Sequence, residues 1–249
     1  MNRKNDKPKS NLSEFLKISN YTETTAEIHF YGDIVDSEWY AWEDTDTYPL
    51  QVKEFLDQVQ GKDLNIYINS GGGSVFAGMS IYNMLKRHTG NKIVHVDGLA
   101  GSIASVIALA GDRVIMPSNS YFMIHKPMYG LWGNYNANEF RDMADTLDRI
   151  EEGIINVYKD NLVEGVDIET IRNFVNEETW FTGEEASKYF NIEVSDSLEA
   201  VACESNLYDK YNKKPINILN KAKEEKENLN LGAIASARLR FLNLKNKEI

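Results

Sequence analysis

A strand, a glycine-rich loop and a helix follow one another in residues 64–87, LNIYINSGGGSVFAGMSIYNMLKR. Residues 64–69 alternate apolar and polar side chains with the period of a β-strand, and only glycine and serine occupy residues 70–74. Residues 75–87 then carry apolar side chains at helical spacing. These are Val75, Met79, Tyr82 and Leu85. The stretch therefore predicts a strand–loop–helix unit, the building block of a parallel sheet.

Similar periodicities recur on both sides of this unit. Further strands are predicted at residues 26–32, 93–96, 114–117 and 121–124. Further helices are predicted at residues 49–60, 102–110, 138–164 and 182–189, and a Thr182–Glu185 capping box opens the last of them. Strands that alternate with helices indicate an α/β protein with a largely parallel sheet.

The composition excludes several classes of protein. The chain has 249 residues, of which 42% are hydrophobic and 26% charged, and its formal net charge is −11. This acidity argues against a nucleic-acid partner, and no apolar run is long enough to predict a membrane segment. A single cysteine, Cys203, argues against a disulfide framework. We therefore expect a cytoplasmic protein with neither a membrane nor a nucleic-acid partner.

The charge is unevenly distributed along the chain. Residues 206–249 contain ten Lys and Arg against five Asp and Glu, so residues 1–205 carry a net charge of −16. We interpret this shift as a domain boundary. The predicted organisation is a flexible lead-in at residues 1–20, a folded domain at residues 21–205, and a basic, partly helical extension at residues 206–249.

A serine and a histidine interrupt the most apolar part of the chain. Ser102 opens a predicted helix of small apolar residues, and His125 ends a predicted strand. Taken singly, such a serine is most often a helix N-cap and such a histidine a satisfied core residue. The glycines at residues 71–73 offer outward N–H groups, which suit a phosphate or an oxyanion, but no Gly-Lys-Ser/Thr follows them. Together the three features supply the nucleophile, base and oxyanion donors of acyl transfer.

Three motifs in this order resemble the ClpP family, the proteolytic subunits of Clp protease. Residues 66–75, IYINSGGGSV, resemble its strand and oxyanion loop, with Gly71 in place of a proline. Residues 98–105, GLAGSIAS, resemble its nucleophile segment, and residues 123–127, MIHKP, resemble its histidine motif. The resemblance extends over residues 26–200. It implies the ClpP/crotonase-like fold of repeated ββα units with a long handle helix, followed here by a C-terminal extension.

The resemblance also implies individual site residues. They are Ser102 as nucleophile, His125 as general base, and Gly73 and Ile103 as backbone donors of the oxyanion hole. The acid is less directly aligned. Residues 180–186, WFTGEEA, resemble the segment that follows the family's aspartate, which places Glu178 at the acid position. Glu177 or Asn176 takes that position if the register slips.

The implied function is that of a serine endopeptidase with a Ser-His-acid triad, an acyl-enzyme intermediate and an oligomeric chamber. The implied partners are protein or peptide substrates, identical subunits in heptameric rings, and an AAA+ unfoldase or phage capsid proteins. Phage capsid proteins are among these partners because the long tail and the aromatic residues within 37–48 resemble the phage and prophage branch of the family. Some members of that branch act in capsid maturation. No cofactor is expected, and the widely spaced His29, His88 and His95 indicate no metal site. Two alternatives remain, a non-catalytic assembly or adaptor subunit and a crotonase-like acyl-CoA enzyme.

Two apolar segments predict contacts between subunits. The helix predicted at residues 138–164 carries an apolar stripe. Its members are Phe140, Met143, Leu147, Ile150, Ile154 and Val157. Residues 128–135 precede it and resemble the glycine-rich strand at the family's ring-to-ring interface. Apolar surface of this extent is costly in water, so we expect a homo-oligomer.

Overall fold

The computed structural model describes residues 22–197, residue 207 and residues 210–215. The predicted lead-in at residues 1–20 and most of the predicted extension at residues 206–249 lie outside these ranges. Within them, no helix combines the length and the apolarity needed to cross a membrane.

Strands and helices alternate, which confirms the predicted α/β class. The strands are β1 (Thr25–Phe30), β2 (Asp63–Ser70), β3 (Lys92–Gly101), β4 (Arg113–Pro117), β5 (Tyr121–Ile124), β6 (Thr179–Thr182) and β7 (Glu193–Ser195). The helices are α1 (Pro49–Gln58), α2 (Val75–Arg87), α3 (Ile103–Ala108), α4 (Ala137–Lys159), α5 (Ile168–Glu177) and α6 (Gly183–Ala186). A short 3-10 helix covers Glu38–Tyr40.

The strands form one sheet that is mostly parallel. Its main path runs β1-β2-β3-β4-β7, and every pairing along this path is parallel. Strand β5 pairs in parallel with β3, and β6 pairs antiparallel with β5. The sheet therefore has a side branch, formed by β5 and β6, that leaves the main path at β3.

Strand β3 is shared between two neighbours. Its first half pairs with β4, at Ile93 to His95, and its second half pairs with β5, at Leu99 to Gly101. The register with β2 shifts between these halves, because Ile68 pairs with Val96 but Ser70 pairs with Ala100. An irregularity of this kind redirects the end of a strand. The end of β3 is thereby directed towards β5.

The core lies between the sheet and the helices. Strand residues Ile28, Ile66 and Val94 are fully buried in it. Helix α3 is buried at every one of its six positions, from Ile103 to Ala108. A helix enclosed in this way fixes the position of Ser102, the residue that precedes it.

Several elements differ from the predicted ones. Helix α5 and strands β6 and β7 are additional to them, and the long helix ends at Lys159, short of the predicted residue 164. Residues 128–133 form no strand with any described residue. A strand exists only when it pairs with a neighbour, and none of the strands in the described part of the chain pairs with these residues.

Candidate active site

The pairing of β3 with β5 brings Ser102 and His125 together. Ser102 follows β3 and His125 follows β5, and the last residue of β3, Gly101, pairs with Met123. Parallel strands end at the same edge of a sheet, so the residues that follow them are neighbours. The Oγ of Ser102 lies 2.7 Å from the Nε2 of His125, within hydrogen-bonding distance.

The backbone of Ser102 directs its hydroxyl towards the histidine. Its φ of 53° and ψ of −125° are unusual for a residue with a side chain. Ser102 stands at the N-cap position of α3, but its side chain makes no capping hydrogen bond. The backbone N–H of Ser102 donates to the carbonyl of Met123 at 2.8 Å, which ties the strained turn to β5. The hydroxyl is thus available to His125 and does not serve as a cap.

The environment of His125 favours a neutral imidazole. Burial lowers the pKa of His125, and the negative charge of Glu178 raises it only in part, so the pKa stays below its usual value. A neutral imidazole at pH 7 can accept a proton. The pair therefore has the protonation state that a hydroxyl nucleophile and its base require.

Glu178 also lies at the candidate site, next to a strand that is antiparallel to β5. It directly follows α5 as the C-cap residue, in the left-handed conformation with φ 52°, and precedes β6. Because β6 is antiparallel to β5, with Thr179 opposite Ile124, Glu178 lies beside His125. Glu178 is buried, whereas Asn176 and Glu177 are exposed. Of the three residues considered for the acid position, Glu178 is the one that lies beside His125.

The Glu178 carboxylate is held by four N–H groups. Its Oε1 accepts from the N–H of Lys213 at 2.7 Å and from Nε1 of Trp180 at 3.3 Å. Its Oε2 accepts from the N–H and the Nδ2 of Asn212 at 3.0 and 3.2 Å. Burial raises the pKa of Glu178, but these bonds outweigh that effect and hold the pKa below its usual value. Within the described chain no hydrogen bond joins Glu178 to His125, and the two interact through charge.

The glycine loop lies directly against the serine. A Cβ at Gly72 would come within 2.7 Å of the Cβ of Ser102, so only glycine permits this approach. Gly73 lies opposite Ile34 in an isolated β-bridge. The hydrogen bonds of this bridge run from the Ile34 N–H to the Gly72 carbonyl and from the Ser74 N–H to the Ile34 carbonyl. The N–H of Gly73 itself takes no part in the bridge.

A second N–H group lies on the other side of the serine. Ile103 is the first residue of α3, where an N–H has no acceptor within the helix. The N–H groups of Gly73 and Ile103 therefore have the position in the chain that donors to an oxyanion near Ser102 require.

A buried hydroxyl chain supports the serine turn. The Ser105 Oγ donates to the Ser102 carbonyl at 2.5 Å and lies 2.8 Å from the hydroxyl of Tyr158. Because the proton of Ser105 is used towards Ser102, the hydroxyl of Tyr158 donates to Ser105. Tyr158 is 1% exposed and belongs to the long helix α4. The chain links this helix to the backbone of Ser102.

The other histidines lie away from the site. His29 and His95 stack on the two faces of Tyr67, with ring centroids 4.7 and 4.9 Å apart. The Nε2 of His88 lies 2.6 Å from the carbonyl of Lys62. Across residues 22–197 and the described C-terminal residues, no group of three or more His, Cys, Asp or Glu side chains could hold a metal ion.

The sequence patterns do not single out all the residues that contact the site. Trp180, Tyr211, Asn212 and Lys213 are additional. Trp180 could have been found, because it begins the segment that positions the acid. Tyr211 and its neighbours lie in a polar stretch without periodicity, and no signal there indicates a contact with His125.

The chain is similar in sequence to known proteins. The sequence model of the Clp protease family matches residues 50–193, which contain Ser102, His125 and Glu178. The ATP-dependent Clp protease proteolytic subunit of Bacteroides fragilis is 33% identical over 143 residues, covering 56% of this chain and 67% of that protein. The subunit of Ligilactobacillus salivarius is 37% identical over 139 residues, covering 54% and 68%. That of Streptococcus mutans is 32% identical over 150 residues, covering 58% and 75%. Since the family model spans more than half of the chain, this protein belongs to the Clp protease family.

Proposed function

We propose that the chain is a serine endopeptidase that cleaves peptide bonds through an acyl-enzyme intermediate. The observation that carries the proposal is the 2.7 Å contact between the Ser102 Oγ and the His125 Nε2. This contact joins a hydroxyl to an imidazole that is neutral at pH 7, beside a buried carboxylate. Membership of the Clp protease family supports the same reaction.

In the first half of the reaction, the Oγ of Ser102 attacks the scissile carbonyl carbon while His125 takes the hydroxyl proton. The carbonyl oxygen becomes an oxyanion, to which the N–H groups of Gly73 and Ile103 donate. His125 then gives the proton to the leaving amine, and the C–N bond breaks. The acyl group stays on Ser102 as an ester.

In the second half, water takes the place of the amine. His125 accepts a proton from the water as its oxygen attacks the ester carbonyl, and the same N–H groups receive the oxyanion. The proton returns to the Oγ of Ser102, and the acid product leaves. In both halves the Glu178 carboxylate stabilises the imidazolium by its charge.

Two other functions explain fewer of the contacts. A crotonase-like enzyme would use the glycine-loop N–H groups on an enolate and would have no need of a bonded Ser102–His125 pair. A non-catalytic subunit would have no need of the strained backbone at Ser102. Both alternatives predict an unreactive serine.

Labelling with a fluorophosphonate probe tests the proposal. We expect one adduct per chain, located on Ser102 by peptide mass spectrometry, and no adduct on the S102A or H125A variant. The matched control is S118A, which removes a partly exposed hydroxyl that follows β4 and should label like the parent. An unlabelled parent, or equal labelling of S102A, would exclude Ser102 as the nucleophile.

We further propose that the subunits form rings that enclose the sites, with heptamers as in the family. Large apolar side chains are exposed on the loop before α4 and at the start of that helix. They are Met128, Tyr129, Leu131, Trp132 and Phe140. Trp132 is 97% exposed, whereas the buried residues of α4 all lie near its end, from Ile154 to Tyr158. A surface of this kind calls for a partner, and identical subunits would supply it.

Sedimentation velocity tests the assembly. F140D places a charge in the exposed apolar stripe, whereas N138D adds the same charge on the opposite side of α4. We expect F140D to shift the protein to smaller species and N138D to sediment like the parent. A parent that stays monomeric at high concentration would exclude the chamber.

The substrates we propose are proteins or peptides, which could reach the active site in two ways. An AAA+ unfoldase would deliver unfolded chains, and then cleavage of a folded protein would require the unfoldase and ATP. Phage capsid proteins would be cleaved directly during capsid maturation. Cleavage of a short peptide and of a folded protein, each without ATP, distinguishes the two routes.

A further inference from the structure

A short stretch of chain near the C-terminus lies against the candidate active site. It consists of Leu207 and residues 210–215, and we call it the C-terminal segment. It lies beyond residue 193, where the match to the family model ends, and beyond the boundary at residue 205 that the charge distribution predicts. Its contacts nevertheless connect it to the folded domain and not to a separate extension.

Tyr211 anchors this segment. Its side chain is 5% exposed and packs with Leu99 of β3 and Met123 of β5, the strands that lead into Ser102 and His125. Its hydroxyl donates to the carbonyl of Gly71 in the glycine loop. Its ring meets the His125 imidazole edge to face, with centroids 5.2 Å apart and planes at 77°. One side chain thus contacts the glycine loop and the candidate base.

The residues that follow Tyr211 hold the acid. Three of the four hydrogen bonds to the Glu178 carboxylate come from the C-terminal segment, two from Asn212 and one from Lys213. The fourth comes from Trp180, whose ring packs against Tyr211 at 5.9 Å. A carboxylate has about four lone-pair sites, so these donors determine its orientation.

This arrangement explains how an acid can act here without a hydrogen bond to the base. Glu178 raises the pKa of His125 through its charge, and that effect depends on where the carboxylate is held. The glutamate side chain is flexible, and its own helix ends at the preceding residue, Glu177. The C-terminal segment is what keeps the charge beside the imidazole.

We propose that the C-terminal segment is a positioning element of the active site, in which the Asn212 and Lys213 N–H groups fix the Glu178 carboxylate and Tyr211 fixes the His125 ring. The inference rests on the proposed peptidase function. A segment that blocked the site would compete for Ser102, yet the hydroxyl of Ser102 keeps its bond to His125. Tyr211 instead packs on Leu99 and Met123 and donates its hydroxyl to the Gly71 carbonyl.

The first test compares two substitutions of one residue in the full-length protein. K213P removes the N–H that donates to Glu178, whereas K213A keeps it and removes only the side chain, which lies 3.9 Å from Glu177. We expect kcat/KM of K213P for a peptide substrate to fall on the order of ten- to a hundredfold below that of K213A, with the loss in kcat.

A pH profile separates positioning from general destabilisation. If K213P releases the carboxylate, the imidazole loses the charge that raises its pKa. The acid limb of the kcat/KM profile should then move to lower pH in K213P than in K213A. A variant that is only less stable would lose activity without this shift.

The second test compares Y211L with Y211F, so that it does not depend on a proline. Y211F loses the hydroxyl bond to Gly71 but keeps the ring against His125, and Y211L loses both. We expect Y211L to be the slower enzyme, with thermal melting confirming that both variants are folded. Equal rates in each pair of variants would overturn the proposal. Faster cleavage by K213P and Y211L would also overturn it, by showing that the segment restrains the site.

Fluorophosphonate labelling distinguishes a failure of this proposal from a failure of the proposed peptidase function. A parent protein that does not label at Ser102 contradicts the peptidase function itself. A parent that labels and cleaves peptide, with equal rates in each pair of variants, contradicts only the role of the C-terminal segment.

Discussion

Ser102 and Glu178 both have a positive φ angle, which no other described non-glycine residue has: the values are 53° and 52°. Positive φ costs about 1–3 kcal/mol for a residue with a side chain, and it persists only where the surrounding structure enforces it. Here α3 and the β3–β5 pairing enforce it at Ser102, and the step from α5 into β6 enforces it at Glu178. The strain coincides with two of the three candidate triad residues.

Two inactive variants should differ in stability because of this strain. S102A and S102G both remove the hydroxyl, and each should abolish peptide cleavage. Glycine adopts positive φ freely, so S102G should be more stable than S102A, by about 1 kcal/mol. Thermal melting of the two proteins measures the difference. If S102A melted at the higher temperature, the turn at Ser102 would not be strained.

The acid can be assigned by comparing neighbouring glutamates. E178Q removes the charge beside His125, so kcat should fall by orders of magnitude at pH 7. E177Q changes an exposed carboxylate 3.9 Å from the Nζ of Lys213 and should matter far less. Peptide cleavage assays on both variants give the order. The reverse order would mean that the acid had been placed one residue too late.

The activity should fall as the pH falls, because protonated His125 cannot accept the serine proton. Burial lowers the pKa of His125, so the acid limb of kcat/KM should have its midpoint below the usual value of about 6.5. Removing the Glu178 charge lowers that pKa further, so the limb of E178Q should lie at still lower pH. A midpoint above that of free histidine would contradict the environment described for the base.

The glycine loop can be tested with two glycines that both have positive φ. An added Cβ at Gly73 would collide with the backbone of Ile34, whereas one at Gly61 would meet no atom within 4 Å. G73A should therefore displace the loop and its N–H group and reduce kcat at least on the order of a hundredfold. G61A should keep its activity and lose only a little stability. Comparable kcat values in the two variants would mean that the loop does not stabilise the oxyanion.

The buried hydroxyl chain should contribute to stability as well as to the site. Y158F removes the bond to Ser105 and should cost about 1 kcal/mol, with a modest loss of rate. S105A removes the bond to the Ser102 carbonyl too and should cost more on both counts. Melting temperatures and kcat of the two variants provide the comparison. If Y158F were the more damaging change, its effect would come from packing in α4.

The sequence predicts the part of the fold that has strong local periodicity. The predicted helix at residues 75–87 and the predicted strand at residues 121–124 are observed with those bounds. The predicted strand at residues 93–96 is observed as Lys92–Gly101, because its second half ends in small residues and is recognisable only through its pairing with β5. Local patterns do not report pairing between strands distant in the chain.

In the candidate site, too, the sequence predicts the residues that lie in local motifs and misses those that come from distant parts of the chain. The sequence motifs predict Ser102, His125 and Gly73 because each lies in a short stretch of unusual composition. The assignment of Glu178 as the acid depends on the neighbouring segment at residues 180–186 and stays a prediction; in the structure Glu178 is buried and interacts with His125 through charge. Tyr211 contacts the site from far along the chain, and only the three-dimensional structure reveals that contact.

Because β3 pairs with β4 in its first half and with β5 in its second, changes that affect folding and changes that affect the active site fall on different strand pairs. The ladder from β1 to β4 and β7 bears on whether the chain folds, whereas the short ladder at Leu99–Gly101 and Tyr121–Met123 sets the distance from Ser102 to His125. Changes along β4 and β7 can therefore accumulate at some cost in stability while the distance from Ser102 to His125 is kept. A shift of one residue in the three-residue ladder would leave most of the sheet intact and separate nucleophile from base. Inactive but folded descendants of this protein should therefore arise most readily by changes at that ladder.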